Sequence, residues 1–254
     1  MAERSGIHVT GHDSGWPVGG SAEGGPKKDG SGKDDLPEVT AVQKGVVVSD
    51  EETQQATVTG EAGTTFKLTL SGQTTSALAK GTATAAEVKA ALEALSNVAP
   101  GDVAVEGPAG GPWLIRFLEG GAFDGDNVPA ITGTGIGVNE VETVTISGSP
   151  SGGNFKLTFG GQTTGNLKFD ATGAEVQTAL RALSTIADDE VSVSGNGPYA
   201  VTFTAGLGAK DVAALTADGS GLTGGTTPKV TVTTGTPGKP APTVEVVTLA
   251  EGED

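Results

Sequence analysis

The chain of 254 residues contains no cysteine, only two histidines, and only two Trp and one Tyr beside seven Phe. The absence of cysteine excludes disulfides, cysteine-ligated metal sites and thiol nucleophiles. Basic residues are also scarce: 15 Lys and Arg stand against 31 Asp and Glu, for a formal net charge of -16. Because nucleic acids and anionic membranes are bound through Lys and Arg, neither is an expected partner.

Long hydrophobic runs are missing as well. No stretch approaches the roughly 20 apolar residues of a membrane span. The N-terminal Met-Ala-Glu-Arg-Ser-Gly lacks the apolar region of a secretory signal. We therefore expect the chain to be made and kept in a cytoplasm unless it leaves inside a larger particle.

Glycine, in contrast, is abundant at 42 residues, and the N-terminal segment GGSAEGGPKKDGSGKDD combines it with Ser, Lys and Asp. Such a composition cannot bury enough apolar surface to offset the entropy of ordering the backbone. We predict a flexible, disordered, Gly-rich arm over residues 1–45. The stiff segment PGKPAP indicates a linker, which with a C-terminal strand or tail occupies residues 236–254.

Between these segments the sequence repeats itself. The segment GTTFKLTLSGQTTSALAKGTATAAEVKAALEALSNVA returns as GGNFKLTFGGQTTGNLKFDATGAEVQTALRALSTIA, with the two copies beginning at residues 63 and 152. The match continues as DVAVEG against EVSVSG and PWLIRF against PYAVTF. The chain therefore contains two copies of one unit.

Each copy shows strand and helix patterns in the same order. Phe66, Leu68 and Leu70 alternate with polar residues, which predicts a half-buried strand. A helix follows where apolar residues recur three and four apart, behind a capping box at Thr84 and Glu87 and again at Thr172 and Glu175. Two further strands and a weak helical turn near Val128 or Val212 complete each copy.

The pattern predicts an α+β fold with two tandem small modules, at residues 46–143 and 144–235. Each module is expected to have a short, mainly antiparallel sheet with one amphipathic helix. We interpret the C-terminal VEVVTLAEGED as a remnant module start or a final edge strand.

No set of residues points to catalysis. His8 and His12 lack a third ligand, and the FDGDN segment at 123–127 departs from a calcium loop at Val128. The GTGIG segment at 133–137 does not join a strand to a helix, as a phosphate-binding loop would. Trp113 and Tyr199 occupy equivalent strand positions, where a core role is favoured over a carbohydrate-stacking platform. We predict no enzyme, catalytic residue, cofactor or metal.

The repeated residues resemble a known module. The pattern FKLTFGGQTTGNLKFDATGAEVQTALRALSTI, followed by VSVSGNGPYAVTFT and DVAALTADGSGLTGG, is similar to one found in virion proteins of tailed phages of actinobacteria. Similar modules occur in large bacterial surface proteins. The resemblance implies a virion structural protein of the capsid-decoration or head-fibre type, or a minor tail protein.

The resemblance also suggests partners. A decoration protein would bind the major capsid protein or another virion protein through its N-terminal arm, and the modules would project outwards. Since Trp16 has no local apolar neighbours, we expect a partner to bury it; the candidate capsid-binding residues are His8, His12, Trp16 and Pro17. A homo-oligomer is possible. The alternative is a minor tail protein or an adhesive protein that binds a host-surface glycan. In either virion case, assembly in the host cytoplasm places the chain in the virion.

Overall fold

The first repeat consists of antiparallel strands around one helix. The computed structural model describes residues 51–123 and 127–251; the predicted arm at residues 1–45 lies outside them. Within the described part the first repeat contains β1 (Thr53–Thr59), β2 (Thr65–Leu70), β3 (Gln73–Thr74), β4 (Leu78–Ala79), α1 (Ala85–Glu93), β5 (Val103–Glu106), β6 (Trp113–Phe117) and β7 (Thr132–Ile136).

The second repeat follows with the same order of elements. It contains β8 (Val141–Ser147), β9 (Gly152–Phe159), β10 (Gln162–Thr163), β11 (Leu167–Lys168), α2 (Gly173–Arg181), β12 (Val191–Ser194), β13 (Tyr199–Phe203), a 3-10 turn (Ala205–Leu207), β14 (Thr216–Asp218), β15 (Leu222–Thr223) and β16 (Lys229–Thr236). A last strand, β17, spans Thr243–Ala250.

The period-two pattern forms the predicted strands. Phe66, Leu68 and Leu70 are all 0% exposed and alternate along β2 with residues on the other side of the strand. Phe155, Leu157 and other alternate positions of β9 are buried in the same way. A side chain on every second position faces the core because successive Cβ atoms of a strand point to opposite sides.

Both helices begin at the predicted capping boxes. The Thr84 hydroxyl accepts a hydrogen bond from the Glu87 N–H, while the Glu87 side chain accepts one from the Thr84 N–H; Thr172 and Glu175 do the same for α2. Reciprocal capping satisfies N–H groups that would otherwise have no partner in the first turn. The helices bury Val88 and Leu92 in one repeat and Val176 and Leu180 in the other.

The strand order shows how the two repeats are joined. In the second repeat, one sheet has the order β12-β13-β8-β16. The matching sheet of the first repeat has the order β17-β1-β6-β5, so the position of β16 is taken by the C-terminal strand. The second repeat therefore lies, in sequence, between β7 and β17 of the first.

The two chain segments that connect the repeats lie side by side. Val138 and Lys239 form an isolated antiparallel bridge with N–H···O distances of 2.9 and 2.8 Å. Lys239 also donates from Nζ to the Ala62 carbonyl at 2.7 Å. The linker at 237–242 thus returns the chain to the first repeat, and both repeats belong to one compact unit.

Each repeat has its own hydrophobic core. One core is built around Phe66, Leu92 and Trp113, and the other around Phe155, Leu180 and Tyr199. The domain boundaries predicted from the sequence stay a prediction; the strand pairing adds β17 to the sheet of the first repeat.

The predicted α+β class is wrong. The described residues form mainly antiparallel strands in several sheets, with only two α-helices of nine residues each, so the fold is closer to all-β. Among the described residues no helical turn lies at Val128 or Val212, and the 3-10 turn of the second repeat ends at Leu207. The N–H groups of these two residues bind the buried carboxylates of Glu52 and Glu140 instead of helical carbonyls. No helix of the described part is long and apolar enough to cross a membrane.

Candidate interaction surface

The sequence candidates fall into two groups. His8, His12, Trp16 and Pro17 lie outside the described residues, as do residues 124–126 of the FDGDN segment. Trp113 and Tyr199 are 0% and 1% exposed, so they belong to the cores and cannot form a carbohydrate-stacking platform. Trp113 stacks on Phe66 at 5.5 Å between ring centroids, and the Tyr199 hydroxyl donates to the Ala171 carbonyl at 2.6 Å.

The GTGIG segment has a packing role. Its residues form β7, which pairs with β2, and its glycines face β17 and the segment before it. A Cβ atom on Gly133 would overlap the Val244 side chain, and one on Gly135 would overlap the Pro242 carbonyl oxygen. The glycines are therefore explained by the close approach of the C-terminal segment.

The described residues contain no group of three or more His, Asp or Glu side chains arranged to hold a metal ion. Their acidic side chains instead cap helices, accept loop N–H groups or face solvent.

Within the described residues, the large hydrophobic side chains that are exposed all lie in the first repeat. Among the described residues the large hydrophobic side chains that are exposed are Leu114, Ile136, Val247 and Leu249, at 37, 37, 47 and 55%. Three of them, Leu114, Val247 and Leu249, lie on the outer face of the sheet β17-β1-β6-β5. We call these three residues the first-sheet patch.

The pairing register brings the patch together. Val247 pairs with Gln55, Gln55 pairs with Leu114, and Leu114 pairs with Glu106, so these residues form one row across four strands. Leu249, also exposed, follows two residues later at a bulge of β17, where it is the unpaired residue between Thr248 and Ala250. Directly paired residues on one face are close enough to form a continuous surface.

Charged side chains border the patch. Arg116, two residues after Leu114, donates from Nη2 to Glu106 Oε1 at 2.6 Å, and its Nη1 lies 3.8 Å from Glu51 Oε2. An apolar centre with a charged rim is typical of protein interfaces.

The second repeat provides an internal comparison. Its matching row is Thr233, Thr143, Ala200 and Ser194, and Thr202 occupies the place of Arg116. Both sheets have the same backbone pairing, so the first-sheet patch is not required by the fold. The patch was missed in the sequence because Leu114 and Val247 are 133 positions apart and meet only through β1.

A shallow groove beside each helix recurs in both repeats. One groove is lined by Leu78, Ala90, Ala91 and Ala94, and the other by Leu167, Ala174, Ala179 and Ala182. Since the groove occurs twice with small apolar walls, it reflects the way the helix packs on its hairpin and carries no distinctive chemistry.

Comparison with known proteins identifies one curated relative. Over 107 residues, 39% of this chain, the sequence is 48% identical to the tail sheath protein of Mycobacterium phage Bxz1. The matched region is 18% of the length of that protein. No protein-family model matches the chain.

A solved structure from Mycobacterium phage Patience is similar with a TM-score of 0.35 and 19% sequence identity. The likeness covers 76% of this chain and 75% of the other. The homology to the sheath protein supports the predicted class of phage virion structural protein and confirms the predicted virion localisation. The matched relative is a tail protein, and neither the capsid-decoration type nor the major capsid protein as partner is confirmed by this comparison.

Proposed function

We propose that the chain is a structural protein of a phage tail, in which the first-sheet patch binds a neighbouring tail protein. The observation that carries this proposal is the 48% identity over 107 residues to a tail sheath protein. This corresponds to the tail alternative of the sequence analysis rather than to its main interpretation. A non-enzymatic role is part of the proposal.

The patch supports a protein partner. Burying apolar surface against a partner favours association by about 25 cal/mol per Å². Aliphatic side chains that are exposed together on a sheet do little to stabilise the unbound chain, and such a cluster is typical of a binding surface. The strand β17 is also at the edge of its sheet, where it pairs with β1 only among the described strands. An unpaired strand edge offers backbone groups to a neighbouring chain.

Localisation in the particle is the first test. Gold-labelled Fab fragments raised against the second repeat would be added to intact particles of the parent phage and imaged by electron microscopy. We expect gold along the tail. Gold confined to the head would contradict the tail proposal and favour capsid decoration.

The patch is tested by replacing it with its counterpart. Leu114→Ala and Val247→Thr introduce the residues found at 200 and 233, and Leu249→Thr keeps a residue that favours strands. Combined, these changes should reduce incorporation of the chain into particles that otherwise lack it, measured by quantitative mass spectrometry. The matched control is Thr233→Ala, an exposed position of the second sheet, which should be incorporated normally.

Thermal melting of both variants separates surface loss from misfolding. Normal incorporation of a folded triple variant would exclude the patch as the contact, while leaving the tail assignment to the imaging experiment. In that case the predicted anchoring by residues 1–45, with His8, His12, Trp16 and Pro17, becomes the next hypothesis, tested by a chain lacking residues 1–40.

A further inference from the structure

The second repeat buries two carboxyl groups that lie two positions apart in the sequence. Glu140 is 1% exposed and Glu142 is 0% exposed. Their counterparts in the first repeat are Glu52 and Gln54, at 2% and 0%. The equivalence is structural: the carbonyls of Glu52 and Glu140 accept from the N–H groups of Phe117 and Phe203, respectively.

In the first repeat every polar atom of this pair is accounted for. Gln54 Nε2 donates to Glu52 Oε1 at 2.5 Å. Glu52 Oε2 accepts the Val128 N–H at 2.5 Å, and Gln54 Oε1 accepts the Ile131 N–H at 2.7 Å. The pair thereby holds the segment that leads into β7.

The second repeat reproduces all but one of these bonds. Glu140 Oε2 accepts the Val212 N–H at 2.8 Å, and Glu142 Oε2 accepts the Leu215 N–H at 2.9 Å. Glu142 Oε1, at the position of the Gln54 amide nitrogen, is buried without a hydrogen-bond partner. An acceptor-only carboxylate there cannot replace the amide donor, but a protonated carboxyl group can.

We infer that Glu142 carries a proton on Oε1 and donates it to Glu140, so that the two side chains share one proton. The pair then makes three of the four side-chain hydrogen bonds of Glu52 and Gln54; the long donation from Gln54 Nε2 to the Pro129 carbonyl, at 3.5 Å, has no counterpart because a carboxyl group carries one proton. The Val212 and Leu215 N–H groups that tie β8 to the following segment bind carboxyl oxygens in either charge state. Loss of the proton removes the bond between the two carboxyl groups and leaves two buried negative charges close together. We call the two side chains the carboxyl pair.

The surroundings support a retained proton. Burial, and in second place the negative charge of Glu140, raise the pKa of Glu142, while the Leu215 N–H lowers it. The residues paired with Glu142 are Val201 on β13 and Thr234 on β16, which carry no charge. The charged residues of the adjoining segment, Lys210 and Asp211, are exposed.

The carboxyl pair makes the second repeat sensitive to pH in a defined direction. Because the folded state holds the proton more tightly than the unfolded state, stability is full below the ordinary glutamate pKa of 4.5. It falls as the pH rises from that value through the raised pKa of Glu142. In this window the equilibrium constant for opening grows about tenfold per pH unit for one retained proton. The Glu52 and Gln54 pair needs no such proton.

Hydrogen exchange of the full chain tests the inference. Opening constants would be measured between pH 5 and 9 at the Leu215 and Val212 amides, with the Ile131 and Val128 amides as internal controls. We expect opening at Leu215 to increase with pH beyond the change at Ile131. Glu142→Gln should remove this excess, and the reciprocal Gln54→Glu should transfer it to Ile131.

The protonation of Glu142 can also be measured directly, without any substitution. The carboxyl carbon shift of Glu142, followed by NMR in the unmodified chain, should titrate well above the ordinary glutamate range. A titration in the ordinary range would overturn the inference. So would an unchanged pH dependence of Leu215 exchange in a folded Glu142→Gln chain.

Discussion

At the scale of single residues, Thr84 and Thr172 organise the start of each helix. The N–H of each Thr donates to the carboxylate of the Glu three residues on, at 2.7 Å, and the Thr hydroxyl donates to the same carboxylate at 2.9 Å. These hydrogen bonds lower the pKa of Glu87 and Glu175. A carboxylate whose folded pKa is lowered stabilises the protein above its ordinary pKa, and the contribution disappears as the pH falls through the folded value.

We predict that Thr172→Ala lowers the free energy of unfolding of the second repeat by about 0.5–2 kcal/mol, since it removes the cap. The loss should become smaller as the pH falls through the lowered pKa of Glu175, because protonation of its carboxylate weakens the box. Urea denaturation at a series of pH values measures the free energy of unfolding of the variant and of the unmodified chain. Thr178→Ala, an exposed threonine inside α2, is the control and should cost little because Ala favours helices. An equal loss from both variants would argue against the capping explanation.

The two buried leucines Leu92 and Leu180 provide a second residue-scale prediction. Both are 0% exposed at equivalent positions of α1 and α2. Replacing either with Ala should cost about 2–5 kcal/mol, the usual range for truncating a buried leucine. Hydrogen exchange should locate each loss in the repeat that carries the change. If one variant is silent while the other unfolds its repeat, the two helix faces do not play equal parts.

At the scale of elements, β7 and β17 pack closely against each other. β7 carries glycines where β17 and its preceding segment come closest, and β17 covers one edge of the first core through Val244 and Val246. At the turn glycines Gly72 and Gly161 an added Cβ atom would meet nothing within 4 Å. The glycines of β7 are therefore required by close packing, whereas these two are not.

We predict that Gly135→Ala destabilises the first repeat by more than 1 kcal/mol, because the new methyl group meets the backbone of Pro242, which cannot rotate away. Thermal unfolding and hydrogen exchange in β1 and β7 would measure the loss. Gly165→Ala is the control, since a Cβ atom there meets nothing within 4 Å. If Gly135→Ala is as stable as the control, the approach of Pro242 is not tight in solution.

At the scale of the whole molecule, the second repeat is an insertion in the sequence of the first. The sequence interval between β7 and β17 contains an entire repeat, whereas the matching interval between β15 and β16 is only residues 224–228. The bridge between Val138 and Lys239 brings the two ends of the interval together. An inserted unit with adjacent ends disturbs its host little.

We therefore predict that the inserted repeat can be removed. Residues 51–137 joined to 240–251 through an Asn-Gly turn should give a dispersed NMR spectrum, and so should residues 138–239 alone. A fragment of residues 51–148, which lacks β17, should be much less ordered because β1 loses a paired strand over its full length. Equal order in this fragment and in the joined chain would show that β17 is dispensable.

Sequence alone determined the repeat, the alternating strands, the capped helices and the general class of virion structural protein, because these depend on local periodicity or direct similarity. Fold class, the partner of β17, the first-sheet patch and the carboxyl pair required the tertiary structure. Leu114 and Val247, or Glu142 and Leu215, meet only after distant strands have paired. Which residues become neighbours across a sheet is set by strand order and register, and a period-two pattern does not encode either.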